Sequence, residues 1–412
     1  MRNSGSDRFL HKSTLQPVKI TVPGSKSETN RLLLLQALYP AITVQNASDS
    51  DDAMALRTAL VNPFETIDIG HAGTAMRFLT AYFATQPGKQ VILTGSARMQ
   101  QRPIGILVNA LRELGADISY CKNEGYPPIR ITGKSLPGTS VAVPAGVSSQ
   151  FLSALLLIAP ALPNGLQLKP IGTPTSAPYL QMTVGLLQRC GIHVDIAPEH
   201  ISVRHHAAVP RQVQTVDSDW SSASYFFGFV AASPVGTVLT LESFSPDSLQ
   251  GDRAVVTHFR KFGVESTFNG NQLEILKTAA HEPAFEANLN DNPDLSQTLA
   301  VTCAALGMKC ALSGLHTLVI KETNRLAALQ SELKKVGVNV TITSDSLRFE
   351  APAKLVENPT IETFDDHRMA MSFAILALVM PVTIRNAKVV TKSYPQFWDT
   401  LEIAGIHSEL IF

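Results

Sequence analysis

Six stretches of the chain open on small or polar residues and continue as nearly unbroken apolar runs. They are SKSETNRLLLLQAL from Ser25, GTAMRFLTAYFA from Gly73, VSSQFLSALLLIA from Val147, WSSASYFFGFVAA from Trp220, DLSQTLAVTCAAL from Asp294 and DHRMAMSFAILAL from Asp366. A helix that is apolar all round is a buried one, so the pattern predicts six core helices with polar N-termini. From Gly73 onward the starts lie 74, 73, 74 and 72 residues apart. A second pattern keeps the same period: a helix end closed by Gly, then a strand, a polar turn and a second strand. It recurs at Gly115, Gly191, Gly263 and Gly337, followed by PIRITGK, HISVRHH, NQLEILK and DSLRFEA. Glycine at a helix C′ position followed by a hairpin is the physical reading. Together the two patterns predict six βαβαββ-like units. The first is truncated by one hairpin, because only 48 residues separate Ser25 from Gly73 and no such glycine lies between Leu38 and His71.

At 412 residues the chain should form two or more domains. Hydrophobic residues make up 45% and charged residues 17%, and the 34 basic and 34 acidic side chains cancel. This balance points away from wholesale nucleic-acid or membrane-surface binding, so any cationic site must be local. Cys121, Cys190, Cys303 and Cys310 have no CxxC spacing and read as buried free thiols. The N-terminus lacks a long apolar segment and the apolar runs are too interrupted to span a bilayer, so a cytoplasmic protein is expected.

The stretch VPGSKSETNR places hydroxyls and two cations at a helix start, where free N–H groups and the helix dipole favour an anion. It is not a P-loop, because Ser25 rather than Gly precedes Lys26. If three core helices per domain face one cleft, six helix N-termini converge on it, and a neutral protein gains a polyanion site.

Eleven segments in order carry a resemblance. They are PGSKSETNR, HAGTAMR, QRPIG, GVSSQFLSALL, SAPY, SSASYF, LQGD, PDLSQTLA, IKETNRL, DDHRMAM and TKSYPQFW, running from residue 23 to 398. In these the chain resembles the 5-enolpyruvylshikimate-3-phosphate synthase family. The resemblance implies an α/β fold of two similar hinge-connected domains, each of three βαβαββ-like units around buried parallel helices, an inside-out α/β barrel. Residues 21–216 would form one domain, and 1–20 with 217–412 the other. It also implies transfer of the enolpyruvyl group of phosphoenolpyruvate to the 5-hydroxyl of shikimate 3-phosphate by addition and elimination, with release of phosphate. That chemistry requires no cofactor or metal. The implied partners are the two small-molecule substrates, with no nucleic acid or membrane, and a monomer is expected.

Carried over by motif, Lys26, Ser27, Arg31, Ser148, Ser149, Gln150, Ser176, Asp294 and Lys321 should bind shikimate 3-phosphate. Lys26, Gly73, Arg102, Gln150, Arg325, Arg368 and Lys392 should surround phosphoenolpyruvate. Several fixed cations are needed to hold two phosphates and a carboxylate together. Proton transfer to a methylene carbon and from a hydroxyl needs an acid and a base. Asp294 fits the base, with Glu322 and Lys26 serving the methylene. His367 reads as a structural hydrogen-bonding residue. The family also implies glyphosate as a competitor of phosphoenolpyruvate, with Gly73 leaving it room.

Four positions depart from the family pattern. His71 and Thr317 stand where Asn is usual, Asn324 where Asp is usual, and Phe78 where Pro is usual, which is read as the first turn of the Gly73 helix. Two other functions compete. A UDP-N-acetylglucosamine enolpyruvyl transferase would carry a reactive Cys in the loop GSARMQQRPIG, which has none. A non-catalytic phosphate-binding protein would explain the cations but leaves Asp294 and Glu322 without a purpose.

Overall fold

The computed structural model describes residues 6–61 and 64–411. The chain divides into two compact units, Gly24–Val216 and Met1–Pro23 with Asp217–Phe412. Thr21, expected at the start of the first domain, belongs with the second unit. Strand Lys19–Thr21 pairs in parallel with Val238–Glu242, Thr21 opposite Glu242.

Unit Gly24–Val216 holds α1 (Lys26–Leu38), α2 (Asp51–Val61), α3 (Gly73–Ala84), α4 (Gly105–Glu113), α5 (Ser149–Ile158) and α6 (Ala177–Arg189). Unit Met1–Pro23 with Asp217–Phe412 holds α7 (Trp220–Ala231), α8 (Val255–Phe259), α9 (Ser296–Ala305), α10 (Arg325–Lys335), α11 (His367–Phe373) and α12 (Phe397–Ile403). The odd-numbered helices are the six apolar runs. In α3, α5, α7, α9 and α11 nearly every residue is buried. Four of the six starts are fixed by side chains that accept a backbone N–H: Ser25 from Glu28, Ser148 from Gln150, Asp219 from Ser222 and Asp366 from Arg368.

The repeat is visible in the sheets. Strand Thr66–Asp68 runs parallel to Gln90–Thr94, which pairs antiparallel with Ile129–Thr132, and that strand pairs antiparallel with Asp117–Tyr120. Four further sheets have the same order of one parallel and two antiparallel pairings. The hairpins of four of the five full units follow a helix closed in the left-handed region. Gly115, Gly191, Gly263 and Gly337 have φ of 107°, 81°, 70° and 89°, where a Cβ would be strained. The truncated unit is the two-stranded parallel sheet of Ile42–Gln45 and Gln212–Thr215. Strand Asp7–Leu10, from the start of the chain, completes the last sheet between Val382–Ile384 and Ser408–Ile411.

Each unit is built on its three core helices. In one, the hydroxyls of Ser224, Thr298 and Ser372 on α7, α9 and α11 form a buried chain at 3.1 and 3.4 Å. These three positions are 74 residues apart, so the repeat extends to individual side chains. In the other, Arg31 of α1 is buried among α3, α5 and α6. Its Nε donates to Thr183 Oγ1 at 2.7 Å, and its Nη2 to Ser153 Oγ and the Tyr179 carbonyl. Its guanidinium lies 5.4 Å from the centre of the Phe78 ring. Burial pulls the Arg31 pKa down to about 10.

Two expectations change here. Phe78 lies in the second turn of α3, not the first, and is fully buried beneath Arg31. Cys190, Cys303 and Cys310 are buried thiols, whereas Cys121 is exposed, because it follows strand Asp117–Tyr120 into the hairpin turn. No helix among the described residues is long and apolar enough to cross a membrane. Phe78→Ala is expected to destabilise the protein by about 3–5 kcal/mol through the cavity it leaves and the lost cation–π contact. Urea denaturation checks this, and a change under about 1 kcal/mol would mean that the ring does not support Arg31.

Candidate active site

In unit Gly24–Val216 the heads of α1, α3 and α5 lie side by side. Gln150 Nε2, on the second residue of α5, donates to Thr74 Oγ1, on the second residue of α3, at 3.3 Å. Arg31, in the second turn of α1, reaches Ser153 in the second turn of α5. Lys26, the first residue of α1, has Nζ 3.3 Å from Asp52 Oδ2 at the start of α2. Ser27 presents its carbonyl to Arg31 Nη1 at 2.8 Å. Ser148 and Ser149 stand at the head of α5, and Ser176 at the head of α6 with φ +54°.

Arg102 is the unusual member of this group. It is 8% exposed, and its side chain has no hydrogen-bond or ion-pair partner among the described residues. The guanidinium lies against the Cα of Gly73, where a methyl group would sit 2.5 Å from Nη1 and 3.0 Å from Cζ. A buried cation without a counter-charge at a helix N-terminus is suited to an anion. Arg31, by contrast, has its Nε, Nη1 and Nη2 all donating to the chain itself. It fixes the carbonyls of Ser27 and Tyr179.

The other unit brings together four cations and four carboxylates. Asp294, on the Pro293–Leu295 3₁₀ turn ahead of α9, has Oδ1 2.9 Å from Arg325 Nη1 and 3.8 Å from Lys321 Nζ. Its Oδ2 is 2.7 Å from Arg368 Nη2. Glu322 joins Arg325 at 3.0 Å and Lys392 at 2.9 Å. Arg325, at the head of α10, is 2% exposed and also donates from Nε to Asp366 at 2.6 Å. Arg368 contacts Ser221 Oγ at 3.3 Å and Tyr225 Oη at 3.4 Å. Ser221 in turn donates to Asp252.

Electrostatics separate the two aspartates. Burial alone would raise the Asp294 pKa, but Arg368, Lys321 and Arg325 outweigh it and hold the carboxyl well below its usual range. Burial raises Asp252 to about 6, with the Asp294 charge adding to the effect and Arg368 opposing it. Burial would lower Arg325, but Asp366, Glu322 and Asp294 together raise it.

The structure thus groups Lys26, Ser27, Gly73, Arg102, Ser148, Ser149, Gln150 and Ser176 within one unit, and Asp294, Lys321, Glu322, Arg325, Arg368 and Lys392 within the other. Three carboxylates escaped the sequence reading: Asp52, Asp252 and Asp366. Asp252 and Asp366 lie inside the motifs LQGD and DDHRMAM, and Asp366 also heads the last of the six apolar runs. The departures are accommodated locally. Asn324 caps α10 by accepting from Ala327 N at 3.2 Å, as Asp would without the charge. His71 Nδ1 meets Ser96 Oγ at 3.1 Å, and Thr317 is buried in the 3₁₀ turn His316–Ile320. His367 is buried, with Nδ1 3.6 Å from Asp366 Oδ1.

Residues 57–401 match the model of the family described as EPSP synthase (3-phosphoshikimate 1-carboxyvinyltransferase). The chain belongs to the EPSP synthase family. A 3-phosphoshikimate 1-carboxyvinyltransferase of Bacteroides fragilis is 42% identical over 414 residues, covering 97% of this chain and 98% of that one. One of Haemophilus influenzae is 34% identical, covering 95% and 99%. Among solved structures, an EPSP synthase from Acinetobacter baumannii superposes with a TM-score of 0.78 at 23% identity, covering 98% of this chain and 100% of that one. The enolpyruvyl transferase NikO from Streptomyces tendae gives 0.71 at 14% identity, covering 98% of each. These two likenesses concern the fold, and they agree with the two-domain α/β arrangement expected of EPSP synthases.

Within this EPSP synthase framework Asp252 predicts a pH effect on stability. Its folded pKa of about 6 lies above the ordinary 3.8, so the folded state holds the proton more tightly than the unfolded chain. Stability should therefore fall as pH rises from about 4 to about 6, and stay reduced above that. Asp252→Asn removes this penalty. Its urea stability should exceed wild type by up to about 3 kcal/mol at pH 8, with the gap shrinking toward pH 4. A gap that does not depend on pH would contradict the reading.

Proposed function

We propose that this chain carries out the enolpyruvyl transfer of its family with the residues of the two groups in distinct roles. The reaction joins the enolpyruvyl group of phosphoenolpyruvate to the 5-hydroxyl of shikimate 3-phosphate and releases phosphate. Lys26, Ser27, Arg31, Ser148, Ser149, Gln150, Ser176, Asp294 and Lys321 take shikimate 3-phosphate, and Arg31 also holds the Ser27 and Tyr179 carbonyls. Lys26, Gly73, Arg102, Gln150, Arg325, Arg368 and Lys392 take phosphoenolpyruvate. Asp294 removes the hydroxyl proton, and Glu322 with Lys26 serves the methylene carbon. A cytoplasmic monomer belongs to the same proposal.

The observation that carries this reading is the grip of Arg325 and Arg368 on Asp294. A carboxylate so held is a weak base. When the phosphate or carboxylate of phosphoenolpyruvate draws on the same guanidinium groups, Asp294 loses part of their field and its proton affinity rises. Substrate binding therefore prepares the base. A protein that merely bound phosphate would have no use for this exchange.

The test is phosphate release from the two substrates together. Asp294→Asn should still bind shikimate 3-phosphate yet turn over roughly 10²–10⁴-fold more slowly. Near wild-type turnover would remove Asp294 from the base role. A second variant examines Arg102. A methyl at Gly73 meets the end of a flexible side chain, so Gly73→Ala should fold normally and displace the guanidinium. The KM for phosphoenolpyruvate should rise by roughly 10–100-fold, and competitive inhibition by glyphosate should weaken as well. Unchanged values of both would mean that neither ligand is bounded at Gly73.

A further inference from the structure

We propose that Asp52 is a positioning residue for Lys26, aiming its ammonium for proton transfer and weakening its pull on the ground-state anions. The inference rests on the role given to Lys26 above. Asp52 is 4% exposed, and its Oδ2 lies 3.3 Å from Lys26 Nζ. Each is the other's one ion-pair partner among the described residues. Asn30, one turn further along the same face of α1, has neither amide atom hydrogen-bonded among the described residues, so it takes no part in orienting the ammonium.

The head of α2, which carries Asp52, is held by a ladder that starts on α1 itself. Thr29 Oγ1 accepts from Ser48 N at 2.9 Å, Ser48 Oγ from Ser50 N at 3.3 Å, and Ser50 Oγ from Ala53 N at 3.4 Å. All four residues are buried, so the head of α2 is tied to α1 one turn from Lys26. This is a preorganised support and not a chance surface pair.

Two consequences follow. An ammonium has three N–H donors, and an anchored one presents the others in fixed directions. The neighbouring negative charge also repels incoming phosphates, so it weakens binding while it orients the donor. Removing the charge should therefore slow turnover without weakening substrate binding. Simple loss of structure would not produce that split.

The experiment uses the full-length protein with both substrates. Asp52→Asn should lower kcat by about 10-fold or more, with the KM for phosphoenolpyruvate unchanged or lower, and Asp52→Glu should recover most of the lost kcat. The proposal fails if kcat of Asp52→Asn stays within about twofold of wild type, if KM rises at unchanged kcat, or if Asn and Glu lose activity alike. Should Asp52→Asn not fold, combining it with Lys26→Met decides. The double variant folds if Asp52 answers Lys26 alone, and its failure to fold would assign Asp52 a separate structural duty and overturn the proposal. Lys26→Ala keeps the two readings apart. Retained turnover there would remove Lys26 from proton transfer, whereas an inactive Lys26→Ala beside a wild-type-like Asp52→Asn would sink only the Asp52 inference.

Discussion

Arg325 is buried to 2% exposure and answers three carboxylates at once: Asp294, Glu322 and Asp366. A lone guanidinium in such a place would be strongly unfavourable, and so would any of those carboxylates without it. The group is therefore stable only as a set. Its members come from the start of α10, the turn before α9, the cap of α11 and the segment before α10. The packing of the core helices decides whether these charges meet, and the charges in turn fix where the helix heads stand. Lys392 and Arg368 extend the set, so each carboxylate faces at least one cation.

The two units solve the problem of holding charge in opposite ways. In the unit with α7 to α12, cations and carboxylates are matched before any ligand arrives. In the proposed mechanism a bound anion there exchanges with Asp294 or Glu322 rather than filling an empty place. In unit Gly24–Val216, Lys26 is matched by Asp52 whereas Arg102 is unmatched among the described residues. In the proposed mechanism the first arrangement ties ligand binding to the proton affinity of a carboxylate. The second supplies attraction directly. An addition–elimination that must both gather anions and move protons needs each of these.

The repeated architecture was legible because it is written in local patterns. The 72–74-residue spacing of polar-headed apolar helices and the C′ glycines were enough to count the units, and the missing hairpin appeared as a short interval. What could not be read were contacts between residues distant in the chain. Asp366 meets Arg325 across 41 positions, and strand Lys19–Thr21 pairs with Val238–Glu242, which moved the boundary to Pro23. Arg31 also meets Thr183, Ser153 and two carbonyls, contacts that no local spacing reveals. The start of α3 at Gly73 was legible, and at 3.6 residues per turn Phe78, the sixth residue, falls in the second turn and not the first.

The central claim is that an anion sharing Arg325 and Arg368 raises the proton affinity of Asp294. It is tested most directly by following the Asp294 carboxyl in protein labelled with ¹³C at aspartate, the signal assigned by its loss in Asp294→Asn. Titrations would be run free and saturated with shikimate 3-phosphate and inorganic phosphate, with Asp252, Glu322 and Lys321 as the other titrating neighbours. The account predicts a carboxyl that stays ionised well below the usual carboxylate range in the free protein and titrates at clearly higher pH in the complex. A titration that is already ordinary in the free protein, or one that does not move on binding, would contradict it.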